Sequence, residues 1–197
     1  MKRKFVVADL HFGHKGVCKF TAPNGVDKLR PWDDTETMDD ALVEAWNKTV
    51  NPEDEVYVLG DVTMNRSALP TVARCNGRKH LIKGNHDTAP ISEYLEYFYE
   101  VSACRVLKDM ILTHIPIHES GLGRFGVNVH GHLHAYNVQT LYEQVLSEDE
   151  SEWHQINDPR YICVSIEQTN WKPVLLDHVR DEIRARKERW GDEFFSN

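Results

Sequence analysis

The chain opens on a short apolar run, Phe5-Val6-Val7-Ala8, with no polar residue interleaved. A continuous run of this length suits a strand buried on both faces. It stops at Asp9-Leu10-His11-Phe12-Gly13-His14. Residues 15–30 are mixed and contain Pro23-Asn24-Gly25, so they predict a loop. Across residues 35–50, Met38, Leu42 and Trp46 recur every four positions, which predicts a helix. Asp33, Asp34 and Thr35 offer N-caps, and Asn51-Pro52 offers a stop. Residues 55–59 predict a strand that runs into Gly60-Asp61.

A weak helix is expected over residues 67–75 despite Pro70, then a strand at His80-Leu81-Ile82 that runs into Lys83-Gly84-Asn85-His86-Asp87. Residues 91–99 read as helical. Residues 101–107 and 110–113 predict two strands joined at Lys108-Asp109, the second ending at His114. Val127-Asn128-Val129 predicts a short strand that ends in His130-Gly131-His132-Leu133-His134. Residues 161–166 and 173–176 predict further strands, and residues 176–190 a charged amphipathic helix. Phe194-Phe195 suggests a tail docked on the core.

Residues 136–160 show a poor period. A short helix is expected there, then an exposed acidic loop through Ser147-Glu148-Asp149-Glu150-Ser151-Glu152. The segment exceeds an ordinary connection and so reads as an insertion or lid. Its acidic run should face solvent, because it would repel an anionic substrate. Its flanks, Tyr136 and Asn137 on one side and Asp158 and Arg160 on the other, are expected near the site.

A length of 197 residues with 41% hydrophobic and 27% charged residues suits one globular domain, residues 1–197. The formal charge of −8 weighs against long duplex nucleic acid and anionic membrane as partners. Cys18, Cys75, Cys104 and Cys163 are scattered, with no disulfide or zinc-ribbon spacing. The N-terminal apolar run is too short for a signal peptide, and no segment reaches membrane length, so a cytoplasmic location is expected. Composition changes the picture most through its 11 histidines, which cluster.

Five apolar runs end in metal-ligand residues: Asp9/His11, Asp61, Asn85/His86, His114 and His132/His134. Parallel strands deliver such ends to one sheet edge, where ligands bind in open α/β sheets. Alternate residues of an extended segment point the same way, so Asp-x-His and His-x-His suit a metal. Carboxylate with imidazole suits manganese, iron, zinc, cobalt or nickel. The absence of thiolates argues against a structural zinc site.

Asp9-Leu10-His11, Gly60-Asp61, Gly84-Asn85-His86-Asp87, His114 and Gly131-His132-Leu133-His134, in that order, resemble the signature of the calcineurin-like metallophosphoesterases. The resemblance implies a four-layer α/β/β/α sandwich, two mixed sheets flanked by helices. It implies two divalent transition-metal ions, with manganese favoured. Asp9, His11, Asp61 and His134 would hold the first. Asp61, Asn85, His114 and His132 would hold the second, with Asp61 as the bridge. A hydroxide held by the metals would attack phosphorus, and His86, oriented by Asp87, would protonate the leaving group. His14, Arg30 and Arg124 are further candidate substrate contacts. His130 is expected to pack in the core and His118 to lie on the surface. The block after Gly60-Asp61 lacks the Asp-Arg-Gly of the protein phosphatases, which favours a phosphodiester over a monoester. Substrates would be small phosphoesters, nucleotides included. A phosphomonoesterase, a short-oligonucleotide nuclease and a non-catalytic protein-binding scaffold are the alternatives. The scaffold members lack the catalytic histidine, which is present here as His86.

Overall fold

The apolar run at the start of the chain forms β1 (Lys4–Val7), an interior strand of a five-stranded sheet. It pairs parallel with β2 (Glu55–Val58), which pairs with β3 (Arg78–Ile82), which pairs with β4 (Glu100–Ser102), all parallel. On the other side of β1 lies the antiparallel strand β11 (Val174–Leu175). The computed structural model describes residues 2–147 and 150–195.

A second, four-stranded sheet joins β5 (Arg105–Leu107), β6 (Met110–Leu112), β7 (Asn128–His130) and β10 (Tyr161–Cys163). Only β5 in it runs antiparallel to its neighbour. The expected arrangement of two mixed sheets with flanking helices is therefore present.

Both faces of β1 are buried, as its unbroken apolar run requires. Phe5 and Val7 pack in one core with Met38, Leu42 and Trp46 of helix α1 (Thr35–Thr49). Val6 and Ala8 pack in a second core with Leu112, Val129 and Val164 and with Val179 and Ile183 of helix α3 (Leu176–Trp190). Phe195 is buried in that second core, as expected of a docked tail. Helix α1 begins at Asp34, whose carboxylate accepts the Thr37 N–H at 2.8 Å. The two sheets are stitched together where their parallel strands end. Ala8 N–H donates to the Val164 carbonyl at 3.0 Å, and Ile166 N–H to the Ala8 carbonyl at 3.1 Å. The loops leaving both sheets are thereby gathered at one edge.

Four expectations change. Residues 67–75 form a 3₁₀ helix, Arg66–Arg74, with Pro70 inside it in place of an α-helical donor. Residues 91–99 hold only one helical turn, α2 (Ile91–Tyr94). Residues 101–107 split between β4 and β5, because the chain crosses there from the first sheet to the second. The described residues of 136–160 hold no helix but an antiparallel pair, β8 (Gln139–Ser147) and β9 (Glu150–Asn157).

The hairpin projects from the body, with Leu141, Val145 and Trp153 each more than 60% exposed. It leans on α3 through the Tyr142 ring, 5.2 Å from that of Trp190. Of its acidic run, Ser147, Glu150, Ser151 and Glu152 are exposed, while residues 148 and 149 lie outside the described residues. Asp158 and Arg160 are not at the mouth of a site. Both are buried, and Arg160 pairs with Asp158 at 2.7 Å and with Glu119 at 3.0 Å. Among the described residues no helix is long and apolar enough to cross a membrane.

Candidate metal centre

The strand-end loops use backbone conformations that L-residues seldom adopt. Among the described residues seven non-glycines have positive φ, and five of them are Asp9, His11, Asp61, His132 and His134 (51° to 68°). Such strain concentrates where a site needs side chains aimed at one point. Glycine makes the close approach feasible. A Cβ on Gly84 would fall 2.3 Å from Asp61 Oδ1, and one on Gly131 would fall 2.5 Å from Ala8 Cβ.

The result is two groups of ligand atoms. Asp9, His11 and His134 form one and Asp61, His114 and His132 the other, with the ligand atoms of each group within 4.8 Å of one another. Asp61 touches both groups. Its Oδ2 is 3.7 Å from His11 Nε2, and its Oδ1 is 3.4 Å from His114 Nε2. Asn85 Oδ1 lies 2.8 Å from His114 Nε2 and joins the second group.

Hydrogen bonds on the far side leave these atoms free to coordinate. Asp9 Oδ2 accepts from Ser165 Oγ at 2.6 Å and from His132 N–H at 2.9 Å. Its Oδ1 is buried without a hydrogen-bond partner, as are both ring nitrogens of His11. His114 Nδ1 donates to the Leu59 carbonyl at 2.8 Å. Its Nε2 then faces Asn85 Oδ1, and two acceptors this close need a cation, either a proton or a metal ion. Buried acceptors without donors and a facing pair of acceptors fit a divalent cation at each group.

Burial pushes the Asp9 carboxyl up to about 6, a cost that a bound cation would offset. For Asp61 burial also raises, but hydrogen bonding and charge from His114 win and bring it down to about 2. Desolvation holds His11 well below the ordinary imidazole value, which favours the neutral, coordinating form.

Two residues that the sequence did not single out, Glu167 and Ser165, support the candidate ligands, and a third, Arg66, lies nearby. The Glu167 side chain is only 3% exposed, and its Oε1 accepts from His134 Nδ1 at 3.0 Å. That bond fixes the ring so that Nε2 faces the cluster. Ser165 holds Asp9. Arg66 lines the cleft beside His86, where it is ion-paired to Glu93. Glu167→Gln keeps the volume but removes the charge behind His134. It is expected to weaken metal binding by about 10–100-fold, read by calorimetric metal titration of a variant whose melting curve confirms folding.

Two expected roles change. Arg30 is fully buried, and its guanidinium is committed to the carbonyls of Asp9 (2.5 Å) and Leu10 (2.8 Å) and to Glu167 (2.7 Å). It braces the first loop from behind, with no exposed surface to offer a substrate. Asp87 does not orient the His86 ring. Its carboxylate accepts the backbone N–H groups of Asp61, Val62 and Gly84 at 2.8–3.0 Å and locks two ligand loops together.

His86 lies at the opening, with its side chain 45% exposed and Nε2 4.0 Å from Asp61 Oδ2. Its N–H donates to Asp61 Oδ1 at 2.9 Å. The His14 ring stands 5.4 Å from that of His11, beside the cluster but outside both groups. Arg124 is an exposed loop residue and lines none of the clefts at the cluster. His130 is buried in the core and His118 is exposed, both as expected.

Comparison with known proteins gives this geometry a family. The model of the calcineurin-like phosphoesterase family matches residues 3–193. The uncharacterized protein MJ1445 of Methanocaldococcus jannaschii is 30% identical over 196 residues, covering 95% of this chain and 94% of its own. The gene 66 protein of Mycobacterium phage L5 is 35% identical over 92 residues, 44% of this chain and 41% of its own. Among solved structures, the protein of unknown function AQ665 from Aquifex aeolicus shares the fold, with a TM-score of 0.61 at 21% identity over 92% of this chain and 99% of its own. With a family match across nearly its whole length and two ligand groups at its strand ends, the chain belongs to the calcineurin-like phosphoesterase family.

Proposed function

We propose that the protein is a metal-dependent phosphodiesterase acting on a small substrate. The observation that favours a diester is a pair of separate clefts opening on the ligand cluster. One, of about 650 Å³, is bordered by His132 and His134. The other, of about 500 Å³, is bordered by Asn85 and His114. A phosphodiester has two organic arms, and each cleft can take one. A monoester needs only one cleft.

Divalent ions held by Asp9, His11 and His134 and by Asp61, Asn85, His114 and His132 would supply charge for the phosphoryl oxygens and acidify a water. Asp61 keeps the two groups in register, since each of its oxygens reaches a different one. The His86 ring has a free edge at the opening and can give a proton to the departing oxygen. Glu167, Ser165 and Asp87 hold ligand side chains and loops at fixed positions, so little reorganisation is needed on binding.

The test is a panel of manganese, iron, zinc, cobalt and nickel against bis(4-nitrophenyl) phosphate and 4-nitrophenyl phosphate. The expected outcome is a kcat/KM about tenfold or more higher for the diester with at least one metal, a difference of about 1.4 kcal/mol. The reverse order overturns the diester reading in favour of a monoesterase. Metal binding without turnover of either substrate favours the scaffold.

A further inference from the structure

The cleft beside His132 and His134 has a wall composition that the hydrolytic chemistry does not call for. Phe20 and Tyr136 present aromatic rings to it at 46% and 57% exposure. Leu29 and Leu133 supply aliphatic surface, and Lys19 and Thr21 supply polar groups. Its volume of about 650 Å³ lies within the range of about 300–1,000 Å³ typical of small-molecule sites. A single exposed aromatic needs no explanation. Two at one cleft, beside two histidines of the ligand cluster, do.

Both walls are held in place before anything binds. Phe20 and Leu29 lie on a short ladder, with Leu29 N–H donating to the Phe20 carbonyl at 2.7 Å and Thr21 bridged to Lys28. Buried Val17 and Cys18 anchor the turn that precedes them. The opposite wall is fixed by Gln168, whose Nε2 donates to the carbonyls of His134 (2.7 Å) and Tyr136 (2.9 Å). The Tyr136 N–H closes a turn on the Leu133 carbonyl at 2.8 Å. A fixed apolar cleft loses little entropy when a flat ring enters it.

We propose that this cleft receives the base of a nucleoside phosphodiester, with the ring stacked on Phe20 or Tyr136 and Lys19 and Thr21 addressing its polar edge. The proposal rests on the phosphodiesterase reading and names one arm of its substrate. Stacking on an aromatic side chain tolerates any base, because every base has a π-face. Selectivity should therefore be for a base over none, with weak discrimination among bases.

Two diesters with the same leaving group separate this arm from the chemistry: thymidine 5′-(4-nitrophenyl) phosphate and methyl 4-nitrophenyl phosphate. The metal-loaded protein should prefer the nucleoside diester by about tenfold or more in kcat/KM, mostly through KM. Phe20→Ala and Tyr136→Ala together should reduce that ratio towards one. No preference in the parent protein, or a ratio untouched by the double variant, overturns the proposal. A parallel loss on both substrates also overturns it, since that would mean that the rings only support the fold.

A second measurement does not depend on turnover. Saturation-transfer NMR of thymidine 5′-monophosphate should show the base protons receiving the strongest transfer in the parent protein and losing it in the double variant. If neither diester is hydrolysed, the phosphodiesterase reading fails and this measurement alone decides the cleft. Base protons without transfer in the parent protein then refute the proposal.

Discussion

Asp61→Asn is expected to lower phosphodiester turnover by about 10³-fold or more, roughly 4 kcal/mol of transition-state stabilisation. It should also lower the metal content below about two equivalents per chain. Asp61 is the residue whose two oxygens reach both ligand groups, at 3.7 Å from His11 Nε2 and 3.4 Å from His114 Nε2. Asparagine keeps the shape and one acceptor, so the His86 N–H can still be satisfied. It loses the charge, and its amide can present N–H groups to a site that otherwise offers acceptors. The backbone does not confound the result. Asp61 has φ of 52°, and asparagine tolerates the left-handed region as well as aspartate does. Elemental analysis after reconstitution reads the metal, and an unchanged melting curve without added metal shows that the fold survives. Full metal content with full turnover would remove Asp61 from the bridge.

The candidate ligand groups were legible because each member sits where an apolar run stops, and such runs mark strands whatever the rest of the chain does. The stitching of Ala8 to Val164 and Ile166 shows why distant strand ends meet at one place. What the sequence hid was the support behind the ligands. Glu167 stands in an unremarkable Ile-Glu-Gln stretch, 33 residues from His134. Arg30 read as a candidate substrate contact because a sequence does not show burial, yet it is spent on the Asp9 and Leu10 carbonyls. Asp87 adjoins His86, but adjacent residues in a turn point apart, and its carboxylate serves three backbone N–H groups instead.

The hairpin failed for a different reason. Leu141 and Val145 are four apart, a spacing that keeps two side chains on one face of a helix and equally on one face of a strand. With both faces of β8 and β9 largely in solvent, no burial pattern breaks the tie. Pairing across the turn decides it, through contacts such as Tyr142 with His154 and Glu143 with Trp153 that no local window contains.

His86→Ala should separate proton transfer from metal binding. The His86 N–H that holds Asp61 Oδ1 belongs to the main chain, so alanine preserves it. The ring itself is half-exposed, lies 4.0 Å from Asp61 Oδ2, and falls outside both ligand groups. Metal content should therefore stay at the parental level. The rate on a diester with a poor alkoxide leaving group should fall by about 10²–10⁴, the usual worth of a positioned proton donor. For 4-nitrophenolate, which departs without a proton, the loss should shrink to about tenfold or less. Equal losses on the two leaving groups would mean that His86 acts on the phosphoryl oxygens and not as the acid. A variant that loses metal, and recovers its rate once metal is saturating, would place the ring among the ligands and leave the proton donor to be sought among the other groups at the opening. One candidate among these is His14, whose ring stands 5.4 Å from that of His11. The double variant His86→Ala/His14→Ala then decides between them. If His14 is the donor, it should show a further leaving-group-dependent loss beyond that of His86→Ala alone. If His86 is the donor, the second substitution should leave the leaving-group dependence where the first put it.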